Sequence, residues 1–187
     1  MNIVKLLAYV KAKHSTQKRK YTGEPYFMHL MNVATMADDY TPFGFEIGLL
    51  HDILEDYEYT GVDYIQLAAA LNSFGCQVDN LNYILSGVVA LTDEYTHERY
   101  PKLNRQQRKI MEAERLYKID PAFQTIKYCD LIDNTSSIVQ HDPGFAVKYL
   151  EEKEYILQGM TAGDPVWLAR CQETLLEAQK HLSTLQS

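Results

Sequence analysis

The chain is poor in cysteine, in basic charge and in long apolar runs, and each shortage removes a class of protein. Three cysteines among 187 residues, Cys76, Cys129 and Cys171, are odd in number and far apart. They suit reduced thiols in a cytoplasmic protein, not a disulfide framework or a zinc knuckle. Lys and Arg total 18 against 25 Asp and Glu, a formal net charge of −7, which argues against a general DNA- or RNA-binding surface. No apolar stretch approaches the ~18 residues of a membrane span. Met1-Asn2-Ile3-Val4-Lys5 leads into lysines instead of the apolar core of a signal peptide. The alternation that marks strands is scarce as well.

What remains is helical periodicity nearly everywhere. A hydrophobic content of 46% with 23% charged residues is ordinary for a globular protein, and the length suits a single domain over 1–187 with a sizeable core. Helices are expected over 2–13, 26–39, 44–56, 62–74, 79–90, 105–118, 122–140, 145–159 and 165–184. That makes an all-α bundle of about eight to ten helices. Thr41-Pro42-Phe43-Gly44 and Gly159, Gly163, Pro165 punctuate it. The polar stretch from Thr92 to Arg105, with Pro101 inside, is the longest expected loop, and such loops are often functional. Leu168, Cys171, Leu175, Ala178, Leu182 and Leu185 form a late apolar stripe. It suits a helix that pairs with a second copy in a homodimer, but its length favours packing on its own domain.

Against this background His51-Asp52-Ile53-Leu54-Glu55-Asp56 stands out: an imidazole and three carboxylates inside the apolar run that begins at Gly48. Burying one unpaired carboxylate costs several kcal/mol, and clustering three adds repulsion. A divalent cation relieves both. On a helix, His51 and Asp52 lean toward one ion while Glu55 and Asp56 stand a turn further on, where a water needs an acid/base partner. The plain alternative is an amphipathic helix with its charged face in solvent.

Further donors are needed. His29 lies in the apolar segment Pro25-Tyr26-Phe27-Met28-His29-Leu30, and Asp130 interrupts a core-like helix in Ile126-Lys127-Tyr128-Cys129-Asp130-Leu131. Asn134 and Ser137 follow Asp130 at helical spacing and can share its cleft. Lys11, Lys13, Lys18, Arg19 and Lys20 make a local cationic patch that suits a small polyanion better than a duplex. His14 reads as structural, and His97, His141 and His181 as solvated. Cys129 reads as a small core residue. Tyr57, Tyr59 and Tyr64 either line a pocket mouth or pack.

The order His29, then His51-Asp52, then Asp130 resembles the H…HD…D arrangement of HD-domain metal-dependent phosphohydrolases. Within that superfamily, Lys13-His14-Ser15-Thr16-Gln17-Lys18-Arg19-Lys20 with Gly23-Glu24-Pro25-Tyr26-Phe27-Met28-His29 is similar to the opening of the (p)ppGpp hydrolase domain of RelA/SpoT proteins. The stand-alone small alarmone hydrolases share it. Gly48 to Asp56, Leu91-Thr92-Asp93, Tyr100-Pro101-Lys102-Leu103-Asn104-Arg105 and Ile126 to Asn134 resemble the later motifs in the same order. The likeness runs from about residue 8 to 138, with the helices over 143–184 expected to pack on that core.

The resemblance implies an all-helical fold and one metal ion, usually manganese, with iron(II) or zinc also suited to the ligand mix. It implies removal of pyrophosphate from the 3′ position of guanosine tetra- or pentaphosphate by a hydrolase without a synthetase domain. His29, His51, Asp52 and Asp130 would hold the metal. Glu55 and Asp56 would position and deprotonate water. Lys18, Arg19 and Lys20 would hold phosphates or the guanine, and Asn134 and Ser137 the ribose or a neighbouring phosphate. The expected partner is thus a small nucleotide, with no nucleic acid and no membrane. Five positions depart from the family pattern: Tyr21, Leu30, Tyr57, Leu131 and Asp133. They leave the ligands and the acid/base pair in place and bear on nucleotide selectivity. Two other readings remain open: an HD phosphohydrolase acting on another nucleotide, such as a nucleoside monophosphate, and a non-catalytic metal- and nucleotide-binding sensor.

Overall fold

The computed structural model describes residues 1–55 and 61–186, and among the described residues every regular element is an α-helix. The all-α expectation holds. No helix of the described residues is long and apolar enough to cross a membrane. The chain divides into two compact units, Met1–Arg19 with Glu24–Thr92, and Lys20–Gly23 with Asp93–Ser187.

The first unit contains α1 (Ile3–Lys13), α2 (Tyr26–Ala37), α3 (Gly44–Leu50), α4 (Gly61–Ser73) and α5 (Val78–Leu91). Asn2 starts α1 by accepting the Lys5 amide at 3.1 Å, which satisfies an orphan donor of the first turn. Leu6 and Val10 are the buried residues of that helix. Between α2 and α3 the chain reverses through Thr41-Pro42-Phe43. Phe43 sits in the left-handed region at φ 56°, an uncommon conformation for a bulky side chain. The reversal lets α3 lie closely on α2. A Cβ on Gly44 would fall 2.0 Å from the Ala37 carbonyl oxygen, and one on Gly48 2.8 Å from the Ala34 Cα. Two glycines on one face of a short helix thus set how near the α2 and α3 backbones come.

The second unit contains α6 (Arg105–Leu116), α7 (Pro121–His141), α8 (Pro143–Gly159) and α9 (Pro165–Gln186). Three of its helices open on proline, whose missing N–H and fixed φ suit a first turn. Each of those prolines follows an aspartate that caps: Asp120 accepts from Ala122 N, Asp142 from Phe145 N and Asp164 from Trp167 N. α6 carries a full capping box between Asn104 and Gln107. The expected C-terminal helices pack on α6 and α7 within this unit. On α9, Trp167 is buried, as are Cys171, Leu175 and Leu182, half of the late stripe, whereas Leu185 is exposed.

One expectation changes. The helix predicted over 44–56 ends at Leu50. From His51 the backbone continues in turns, with Ile53 N donating to Leu50 O at 2.9 Å and Glu55 N to Asp52 O at 3.0 Å. The one-turn spacing argued for the motif on a continuous helix therefore does not apply. The loop from Thr92 to Asn104 is also stapled to α6. The Glu112 carboxylate accepts from the amides of Glu94 and Tyr95 at 2.9 and 3.0 Å, and Lys109 pairs with Asp93 at 2.8 Å.

Candidate metal centre

The close approach of α3 to α2 places the end of one helix against the middle of the other, and there three polar side chains meet in the core. His29 on α2 is fully buried, His51 is 1% exposed and Asp52 6% exposed. His51 Nε2 lies 3.0 Å from Asp52 Oδ2, and His29 Nε2 lies 3.6 Å from the same oxygen. The two imidazoles meet edge-on with centroids 5.2 Å apart. His51 Nδ1 sits 2.7 Å from the Gly48 carbonyl oxygen. A carbonyl only accepts, so Nδ1 carries the proton and donates. In the neutral ring Nε2 then presents its lone pair toward Asp52. Two imidazole nitrogens and a carboxylate oxygen facing the same small volume are a donor set that suits a divalent cation, and their burial gives that cation a reason to be there.

Tyr26, at the start of α2, supports the set. Its hydroxyl donates to Asp52 Oδ2 at 2.5 Å, and its ring lies 5.3 Å from that of His29 and 5.6 Å from that of His14. His14 is itself buried and its Nδ1 lies 2.5 Å from Gln17 Oε1. Such supporting contacts orient ligands and tune them, and they agree with a structural role for His14. Sequence reading passed over Tyr26, although it stands three residues before His29, on the same helix face.

Beyond Asp52, Glu55 is exposed. Asp56, Tyr57 and Tyr59 lie outside the described residues, as does the side chain of Ser137. Lys18 and Arg19 belong to the first unit, where Lys18 forms an isolated bridge with Pro25 and Arg19 N donates to Glu24 O at 2.8 Å. Lys20 belongs to the second. The basic run that reads as continuous is thus divided between the units.

In the second unit Asp130 is 5% exposed on α7. Lys127, one turn earlier, pairs with its Oδ2 at 2.8 Å, and the Asn134 amide donates to its Oδ1 at 2.5 Å. Leu131 and Asp133, two of the departures from pattern, are buried. Lys127 is another residue that sequence reading did not single out and that helical spacing would have found. Around this pair lies further charge. Burial acts to raise the Asp93 pKa, but the ammonium groups of Lys109, Lys127 and Lys153 together hold it below the usual carboxylate range. Lys153 on α8 is pushed down to about 8, first by burial and then by Lys127 and Lys109, against the opposing pull of Asp130 and Asp93. The Cys129 thiol is pushed up by burial, then by Cys171 and Asp130, which fits a small core residue.

No family model matches the chain. A probable guanosine-3′,5′-bis(diphosphate) 3′-pyrophosphohydrolase of Mycoplasma pneumoniae is 31% identical over 144 residues, 73% of this chain and 18% of the relative. The chain thus spans under a fifth of that longer protein. The guanosine-3′,5′-bis(diphosphate) 3′-pyrophosphohydrolase MESH1 of Drosophila melanogaster is 30% identical over 142 residues, 73% of this chain and 69% of the relative. A solved structure of a metazoan ortholog of SpoT, described as hydrolysing ppGpp and acting in starvation responses, matches with a TM-score of 0.73. It is 20% identical and the match covers 94% of each chain, a likeness of fold.

Proposed function

Since the chain belongs to the family of guanosine-3′,5′-bis(diphosphate) 3′-pyrophosphohydrolases, we propose that it hydrolyses (p)ppGpp, releasing pyrophosphate from the ribose 3′ oxygen and leaving the guanosine 5′-di- or triphosphate. The observation that carries this reading is the buried convergence of His29, His51 and Asp52. Such a buried set of nitrogen and oxygen donors suits a divalent cation, and the family's reaction needs one.

In this reading His29, His51, Asp52 and Asp130 hold one divalent ion, manganese by family and iron(II) or zinc by ligand type. The chemistry such an ion supplies is a lowered water pKa and neutralised charge at the attacked phosphorus. The remaining work falls to the chain. Glu55 and Asp56 take the proton of the attacking water. Lys127 and Asn134, bonded to either oxygen of Asp130, fix that carboxylate's orientation, and Asn134 keeps its carbonyl for a ribose hydroxyl. Ser137 lies along the same side of the nucleotide. Lys18 and Arg19 hold charge on the nucleotide, a task for which arginine's planar fork suits phosphate or base. All of 1–187 serves as one hydrolase domain in this account, working in the cytoplasm, where its three free buried cysteines face no oxidant.

The test is product analysis of the purified chain with manganese and guanosine-3′,5′-bis(diphosphate), beside nucleoside monophosphates and other 3′-phosphorylated nucleotides. Release of GDP and pyrophosphate, lost with chelator and in Asp52→Ala, is the expected result. Cleavage of another nucleotide instead would retain the chemistry and reject the substrate. Bound metal with no turnover of any nucleotide would move the protein to the sensor class.

A further inference from the structure

Three lysines and two aspartates of the second unit act on one another, and their charges do not balance. Lys109 Nζ pairs with Asp93 Oδ2 at 2.8 Å, and Lys127 Nζ with Asp130 Oδ2 at 2.8 Å. The other oxygen of Asp130 accepts from the Asn134 amide at 2.5 Å. Both carboxylates are thus engaged before the third lysine is placed. Lys153 stands on α8 within the field of all four groups. Its ammonium lies 4.8 Å from the centroid of the Tyr149 ring, one turn earlier on the same helix. Among the described residues, an aromatic face and not a carboxylate oxygen is what that ammonium meets.

A lysine so placed is driven toward its neutral form. The residue keeps part of its surface in solvent, yet its charged end sits deep enough for desolvation to act first. The ammoniums of Lys127 and Lys109 repel a third, and the pull of Asp130 and Asp93 does not offset them. The Tyr149 phenol and the Cys171 thiol are both held protonated by burial, so neither adds negative charge. The result is a pKa of about 8, where an ordinary lysine has 10.5. At about pH 7.5 such a group is roughly a quarter free amine, against about a thousandth for an ordinary lysine. A desolvated amine beside other cations is a nucleophile toward carbonyl carbon.

The surplus positive charge says which electrophile. Three ammoniums against two carboxylates attract an anionic donor, and an acyl phosphate joins a dianionic phosphate to a reactive carbonyl. We propose that Lys153 is an acyl-acceptor site, modified directly by small acyl phosphates. The Nζ lone pair bonds to the carbonyl carbon, and the bond from that carbon to the phosphate oxygen breaks. Phosphate leaves with the electron pair, and a proton of the amine passes to solvent. The product is a neutral amide. Acylation therefore removes the unbalanced charge and leaves the Lys109–Asp93 and Lys127–Asp130 pairs standing. The inference goes beyond the hydrolase reading and does not rest on it, since the amine reacts whether or not a nucleotide is cleaved.

The experiment incubates the full chain with acetyl phosphate across a range of pH and follows each lysine by peptide mass spectrometry. Lys118 and Lys148, exposed lysines of the same unit, are the references. At about pH 7.5, Lys153 should be acetylated about tenfold faster than either, because its larger free-amine fraction outweighs its weaker basicity. Its rate should level off above about 8, while theirs keep climbing. An uncharged donor, N-acetoxysuccinimide, should show a preference for Lys153 at most about half as large, since it lacks the phosphate that the ammoniums attract. A Lys153 rate no greater than that of Lys118 and Lys148, or one that climbs with theirs across the whole range, would overturn the acceptor site. An equal preference with the uncharged donor would overturn the choice of acyl phosphates.

Discussion

Asp52 and Asp130 are buried to nearly the same depth, 6% and 5% exposed, yet their surroundings differ in kind. Asp52 faces two imidazoles and a phenol, groups that are neutral or charged only when protonated. Asp130 faces an ammonium and an amide, with Lys109, Lys153 and Asp93 in the same field. Burial alone does not say what a carboxylate is for. The first arrangement offers imidazole nitrogens and a carboxylate oxygen to a cation. The second already sets an ammonium beside its carboxylate, in a field where Lys153 loses affinity for its own proton.

That contrast can be broken from either side. The largest effect expected is at Lys153. Its burial and the ammonium groups of Lys127 and Lys109 disfavour the charged form, so Lys153→Met should raise stability at pH 7 in urea titrations. The native chain should also gain stability as pH rises. Below about 8 both folded and unfolded Lys153 are protonated. Between about 8 and its ordinary value of 10.5, the unfolded chain holds a proton that the folded chain has released, so stability climbs. The groups that set the value are Lys109 from α6, Lys127 and Asp130 from α7, and Asp93 from the preceding loop. A flat stability profile over that window in the native chain would contradict the assignment.

In the first unit Gly48→Ala should overpack α3 on α2 and cost about 1–3 kcal/mol, seen as a Tm lowered by about 2–4 °C per kcal/mol. Because His51 hangs on that helix, manganese affinity by calorimetry should fall with it. A drop in Tm with undiminished metal binding would uncouple the two. Tyr26→Phe removes only the hydroxyl on Asp52 and should lower metal affinity by about 10- to 100-fold with little change in Tm. The smallest effect belongs to Asn104→Ala, which removes the cap of α6 at about 1 kcal/mol and should leave metal affinity alone.

The helices were largely legible because their punctuation is local. Pro121, Pro143 and Pro165 begin helices behind capping aspartates, and the apolar spacing between such marks predicts each span closely. The motif's own geometry was not legible. His51 and Asp52 are polar residues in an apolar run, which is visible, but the turn that replaces the last part of the expected helix follows from how α3 ends against its neighbours. Tyr26 and Lys127 were within reach of a spacing argument, each standing one turn ahead of a singled-out donor. The division of Lys18, Arg19 and Lys20 between two units was out of reach, since three successive basic residues carry no sign of where the chain changes neighbours.

Composition, periodicity and the placing of proline, glycine and aspartate were enough to make this chain helical, to bury half of its late stripe and to mark His29, His51, Asp52 and Asp130 as misplaced in an apolar core. Those are properties of short windows, where backbone preference and side-chain spacing act alone. Which nitrogen of His51 faces Asp52, and which carboxylate takes an ammonium and which takes imidazoles, were decided by packing. Each depends on an approach of a few ångströms between segments remote in sequence, and no local preference encodes that distance.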